Sequence, residues 1–156
     1  MGKKKRAFIY VAVWMLVIFL FSAQVSEDSS EQSGCVVAFL LSVVRLLFGE
    51  SAAKTLAGSG IEFVVRKLAH FSEYAVLAVL MHRALRLNGC PAPYPLSLLF
   101  SALYACTDEF HQSFVPGRSM ELRDVLIDTS GAAFGLLLVF CTLSIRARSR
   151  GRAQAA

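Results

Sequence analysis

The run Asp108-Glu109-Phe110-His111-Gln112, followed by Pro116-Gly117-Arg118 and then by Asp124 and Asp128, decides how this chain is read. It stands between two apolar stretches, and Asp128 already lies inside the second of them. Hydrocarbon is a poor solvent for charge: one Asp or Arg at the centre of a membrane helix costs about 3 kcal/mol on insertion scales. So dense a cluster at a membrane boundary needs partners, and the chain offers them upstream at Arg66, Lys67, His70 and Glu73. Function is expected in that polar cluster.

The composition around it is that of a membrane protein. Of 156 residues, 56% are hydrophobic and only 17% are charged, with a mean hydropathy of +0.57. The charged residues are bunched rather than spread over a surface. The length suits one helical membrane domain covering 1–156, because a span takes about 20 apolar residues. No repeat and no Gly- or Pro-rich segment divides it. The net charge of +5 comes from basic end clusters without the aromatic platform of a nucleic-acid binder, so no nucleic-acid partner is expected. Cys35, Cys90, Cys106 and Cys141 are scattered, with neither a C-x-x-C pair nor metal-ligand spacing.

The expected fold is all-α: a small bundle of four transmembrane helices, about 7–23, 68–87, 95–110 and 125–145, plus an interfacial helix. Lys3, Lys4, Lys5 and Arg6 precede the first apolar run. Phe21-Ser22-Ala23 lacks small residues at both cleavage-determining positions, which favours a signal anchor over a cleaved leader. Cys35–Phe48 is apolar but short and carries Ser42 and Arg45, which fits an interfacial helix better than a crossing. Four spans with the N-terminus inside place Lys3 to Arg6, Arg83, Arg86, Arg146, Arg148, Arg150 and Arg152 on the inner face. Every acidic residue, from Glu27 to Asp128, then falls on the outer side or in the outer end of a span. That is the positive-inside pattern, with both termini cytoplasmic.

Three helices bring polar groups to one membrane face. Arg66, His70 and Glu73 are spaced by four and three, flanked by Lys67 and Tyr74, and share a face of the second span. Asp108, Glu109, His111 and Gln112 stand at the outer end of the third, with Arg118 in the turn beyond. Asp124 and Asp128 lie one turn apart where the fourth begins, and Ser22 and Gln24 end the first at the same depth. Each element also has a plainer reading: Asp124 and Asp128 as partners of a helix dipole, Arg66 or Lys67 as snorkelling anchors, His70 with Glu73 as an interhelical hydrogen bond. Gly131 and Gly135 form a GxxxG pair suited to close helix packing, within the chain or in a homo-oligomer. Packing glue rarely needs so many charges at one depth, and intramembrane ionisable residues default to a functional reading.

At these residues the chain resembles the VanZ-like family of bacterial membrane proteins. The resemblance rests on Phe21-Ser22-Ala23-Gln24, on the block from Arg66 to Tyr74, on the block from Asp108 to Arg118, and on Asp124-Val125 and Asp128-Thr129-Ser130-Gly131. It implies a small multi-pass protein of the bacterial cytoplasmic membrane. The family takes its name from a protein linked to resistance to the glycopeptide antibiotic teicoplanin, so a contribution to antibiotic resistance is a family-level implication.

Two functional classes compete. In the first, the outer cluster binds the anionic head of a membrane lipid, a lipid-linked envelope precursor, or an amphiphilic antibiotic. Arg66, Lys67 and Arg118 then hold phosphate or carboxylate, and the acids orient them. In the second, the chain is a hydrolase or transferase acting on such a lipid. Its catalytic candidates are His70, Glu73, Asp108, His111 and Asp128. Asp108, His111, Asp124 and Asp128 are the candidates for holding a divalent metal, or His70 with Glu73 serves as general base and orienter. The absence of H-E-x-x-H, a nucleophile elbow or a P-loop favours binding, and no cofactor is required by that reading.

Overall fold

A computed structural model describes the backbone of residues 2–23 and 26–155, and within them the side chains of 2, 4–23 and 34–150. The described residues form six helices and no strand: α1 (Lys3–Ser22), α2 (Ser26–Phe48), α3 (Glu50–Ala57), α4 (Ile61–Leu87), α5 (Pro93–Gln112) and α6 (Leu122–Ala155). The all-α expectation holds. Local chemistry sets the breaks. Gly49, Gly60, Gly89 and Gly117 all have positive φ, and each stands in a connection between helices. Pro93 opens α5 within its first turn, where a missing N–H costs nothing.

Two departures from the sequence reading concern helix extent. The amphipathic segment begins at Ser26 rather than Cys35, and Gly49 breaks it from a second short helix, α3, which the sequence reading left open. α6 runs nearly three turns past residue 145, because the arginine-rich tail suits a helix C-terminus, where cations are favoured.

α1 and α6 are long and apolar enough to cross a membrane. α4, with 27 residues, and α5, with 20, would reach about 40 and 30 Å, but they carry the polar groups of the cluster. α4 is the hub and packs against α1, α2, α5 and α6. Trp14 Nε1 donates to the Glu73 carbonyl over 2.9 Å, and the Tyr104 hydroxyl donates to the Met15 carbonyl over 2.7 Å, which fixes α1 against α4 and α5.

An apolar core of Val11, Ile18, Tyr74, Leu77 and Leu136 is flanked by small and polar groups. The interior is built largely of small or polar residues, among them Ala78, Ala84, Ala105, Ala132, Ser97, Ser101, Asp108, Glu109 and Asp128. Large apolar side chains face outward on every long helix, including Leu16 and Leu20 of α1, Leu68 of α4, Leu103 of α5 and Leu137 and Phe140 of α6. Exposed apolar surface of that extent marks a face for lipid or for a protein partner, and small-residue interiors let helices approach closely.

α4 and α6 run parallel, and Gly131 and Gly135 mark where they meet. A Cβ at Gly131 would collide with the Phe71 backbone carbonyl, and one at Gly135 with that of Ala75. The GxxxG face considered for a homo-oligomer is therefore taken by α4 of the same chain.

Candidate functional site

The start of α4, the end of α5, the start of α6 and the turn between α5 and α6 line a half-open cavity of about 240 Å³. Its cations are Arg66, Lys67, Arg118 and Arg123; its acids are Glu121 and Asp124; Phe63, His70, Gln112, Gly117 and Ser119 complete the wall. The α4 stripe arises as the spacing implies, since Arg66, Lys67 and His70 lie within about one turn of helix. Lys67 Nζ donates to Asp124 Oδ2 across the α4–α6 contact. Lys67 and Arg123 also stand over the Phe63 ring, at 5.2 and 5.1 Å from its centroid. That contact pins two cations at the rim.

Below the rim the polar groups form a second layer. The Arg118 guanidinium donates to Gln112 Oε1 over 3.1 Å, and Gln112 Nε2 donates to Asp108 Oδ2 over 3.1 Å. One amide thus links a cation at the cavity to a carboxylate inside the bundle. Burial, and then the nearby Arg66, draw the Arg118 guanidinium below its ordinary range. An anion in the cavity would relieve that crowding. His70 joins the two layers: it lines the cavity, and its Nδ1 lies 4.0 Å from Asp128 Oδ1. His70, Asp108 and Asp128 each offer one ligand atom within 4.8 Å of the others. Asp108 and Asp128 are 3% and 1% exposed, and Asp108 Oδ1 and both Asp128 oxygens lack a hydrogen-bond partner.

The sequence candidates separate into those that converge and those that do not. Arg66, Lys67, His70, Gln112, Arg118 and Asp124 surround the cavity, and Asp108 and Asp128 lie beneath it. Buried Ser22 neighbours Asp108, and half-buried Glu73 acts electrostatically on the same carboxyl. Glu109 turns away: it is buried and accepts the Glu121 backbone N–H over 3.0 Å, closing the α5–α6 loop. His111 stacks on Phe19 of α1 with ring centroids 4.5 Å apart. Gln24 lies outside the described residues. The metal set anticipated from spacing is thereby altered. Asp108 and Asp128 gather with His70, while Asp124 pairs with Lys67 and His111 faces α1.

Four contributors escaped the sequence reading as site residues. Phe63, Glu121 and Arg123 line the cavity, and Tyr74 is fully buried with an unpartnered hydroxyl in the field of Asp108 and Asp128. The signals were present: Phe63 stands one helical turn before Lys67, and Tyr74 four residues after His70.

The site falls within a single family match. A family model described as VanZ/LLP1 matches residues 7–144, from α1 well into α6. The chain belongs to the VanZ/LLP1 family. No curated protein and no solved structure matches it. The VanZ/LLP1 match contains the whole cavity and the carboxylate layer, so the site is built entirely from the family's own segment.

Proposed function

We propose that this chain is a multi-pass protein of the bacterial cytoplasmic membrane whose outer cavity binds the anionic head group of an envelope lipid. The observation that carries the reading is the cavity itself, with four cations against two carboxylates at one end of a bundle whose flanks are apolar. A lipid meets both surfaces at once: its tails lie along the exposed Leu and Phe side chains, and its phosphate reaches Arg66 and Arg118. Guanidinium groups suit that task because they bind phosphate bidentately.

In this reading α1, α4, α5 and α6 are the four spans, and α2 with α3 lies at the outer interface. Support comes from where the cations fall. Arg6 with Arg83, and Arg86 with Arg146 and Arg150, line clefts at the opposite end of the bundle from Asp108, Asp124 and Asp128. Both termini are then cytoplasmic. A lipid-linked envelope precursor, with its pyrophosphate, fits the cationic rim best. A hydrolase or transferase acting on that head group is the second reading, favoured by His70 lining the cavity beside the buried carboxylates. A contribution to antibiotic resistance would follow if an amphiphilic antibiotic, or the precursor it targets, occupied the same cavity.

The test is native mass spectrometry of the full chain released from lipid mixtures. Wild type is expected to retain phosphate-headed lipid in preference to neutral lipid, and Arg118→Ala with Arg66→Gln is expected to lose that preference. Equal retention of both lipids, or an unaffected double variant, would refute the reading. Displacement by an anionic amphiphilic antibiotic would assign the antibiotic to the same cavity, and release of a shortened head group would favour the enzyme reading.

A further inference from the structure

We infer that His70, Asp108 and Asp128 form a binding site for one divalent cation of the Zn²⁺ or Mn²⁺ class beneath the outer cavity. The ligands come from three helices, α4, α5 and α6, and their donor atoms lie within 4.8 Å of one another. Tetrahedral coordination with bonds of about 2.0 Å requires donors about 3.3 Å apart. The donors therefore draw together by up to about 1.5 Å when the ion binds.

The state of Asp128 is what points to a ligand. Its side chain is 1% exposed, yet neither carboxylate oxygen has a hydrogen-bond partner, while Asp108 has the Ser22 hydroxyl beside it and Gln112 on Oδ2. Buried carboxyl oxygens are normally hydrogen-bonded, and leaving both unmet is costly. Asp108 and Asp128 also lie close together, each offering a carboxylate oxygen within 4.8 Å of the other and of a His70 nitrogen. Lys67 is committed to Asp124, four residues before Asp128 on α6. A divalent ion would satisfy the free oxygens and neutralise the pair together.

The donor set narrows the choice of ion. One imidazole nitrogen with two carboxylates suits Zn²⁺ or Mn²⁺ better than Mg²⁺, which prefers oxygen ligands and retained water. Three protein ligands leave at least one position open, and His70 also borders the cavity. The Arg118–Gln112–Asp108 chain is the outer support of the site: Gln112 holds Asp108 Oδ2 and leaves Oδ1 for the ion. The ligands stand on their own geometry and do not depend on the head-group reading.

Metal content of the full-length protein, purified in detergent, incubated with Zn²⁺ or Mn²⁺ and then desalted, tests the inference. About one equivalent of either ion is expected per wild-type chain, with His70→Gln and Asp128→Asn each retaining less than about a tenth of that. His82→Ala, which removes a histidine at the inner end of α4, is expected to bind as wild type does. The ion should also raise the thermal midpoint of wild type and leave that of His70→Gln unmoved, a comparison that stands even if Asp128→Asn fails to fold. Wild type holding neither ion, or variants binding as wild type does, overturns the site. Lipid retention measured in EDTA separates the two proposals: preference for phosphate lipid without a metal site leaves the head-group reading intact and removes this one.

Discussion

Lys67 of α4 and Asp124 in the first turn of α6 form the outermost rung of a ladder between two parallel helices. One turn inward His70 stands 4.0 Å from Asp128, and the next two contacts place Gly131 on the Phe71 carbonyl and Gly135 on that of Ala75. Polar rungs thus give way to backbone contact as the pair descends. The ladder sets the register that brings a histidine and two carboxylates to one point.

The outer rung is expected to contribute measurable stability because its side chains are only 18% and 16% exposed. Removing one partner strands the other in a half-buried site, at a cost between the exposed and fully buried limits, about 2 kcal/mol. Lys67→Met and Asp124→Leu should each lower the thermal midpoint in detergent. The double variant should recover part of the loss, since no charge is then left alone. Strictly additive losses would show that the pair is not coupled.

Gly131 and Gly135 are expected to tolerate nothing larger than hydrogen. At each position a Cβ meets backbone rather than a movable side chain, so α4 and α6 must separate to admit it. Gly131→Val should cost about 3 kcal/mol or more, as overpacking at a rigid contact does, and should abolish the folded species in size-exclusion chromatography. Gly89→Ala, in the loop between α4 and α5, has open space around its Cβ and is expected to lose far less, through its positive φ alone. A stable, monodisperse Gly131→Val would contradict the close α4–α6 contact.

The proposed orientation rests on where the cations gather. Reporter fusions after Ser119 should read external and fusions after Arg150 cytoplasmic, since the α5–α6 turn and the arginine-rich end of α6 lie at opposite ends of the bundle. The opposite readout at either point would overturn the four-span arrangement.

Much of this site was legible in the sequence because helical spacing and charge burial are local rules. The face shared by Arg66, His70 and Glu73, and the meeting of a basic residue of α4 with an acid of α6, follow from periodicity and from the cost of unpaired charge. What spacing could not supply was rotation about the helix axis. Glu109 and His111 flank Phe110 on α5, and only three-dimensional packing sends one to the Glu121 amide and the other to Phe19. Gly131 and Gly135 read equally well as a seam to a second chain; the choice of α4 as partner depends on tertiary register. α3 was missed because its eight residues are few and not strongly apolar, and Gly49 and Gly58 bound it on either side.

The most direct test of the central claim is a head-group comparison on one scaffold. Affinity of the purified full chain would be measured for a polyprenyl pyrophosphate and for the corresponding neutral polyprenol, at low and high salt. The account expects the pyrophosphate to bind at least about ten-fold more tightly, a difference of about 1.4 kcal/mol that narrows as salt screens the rim cations. Equal affinities at both salt concentrations would contradict it.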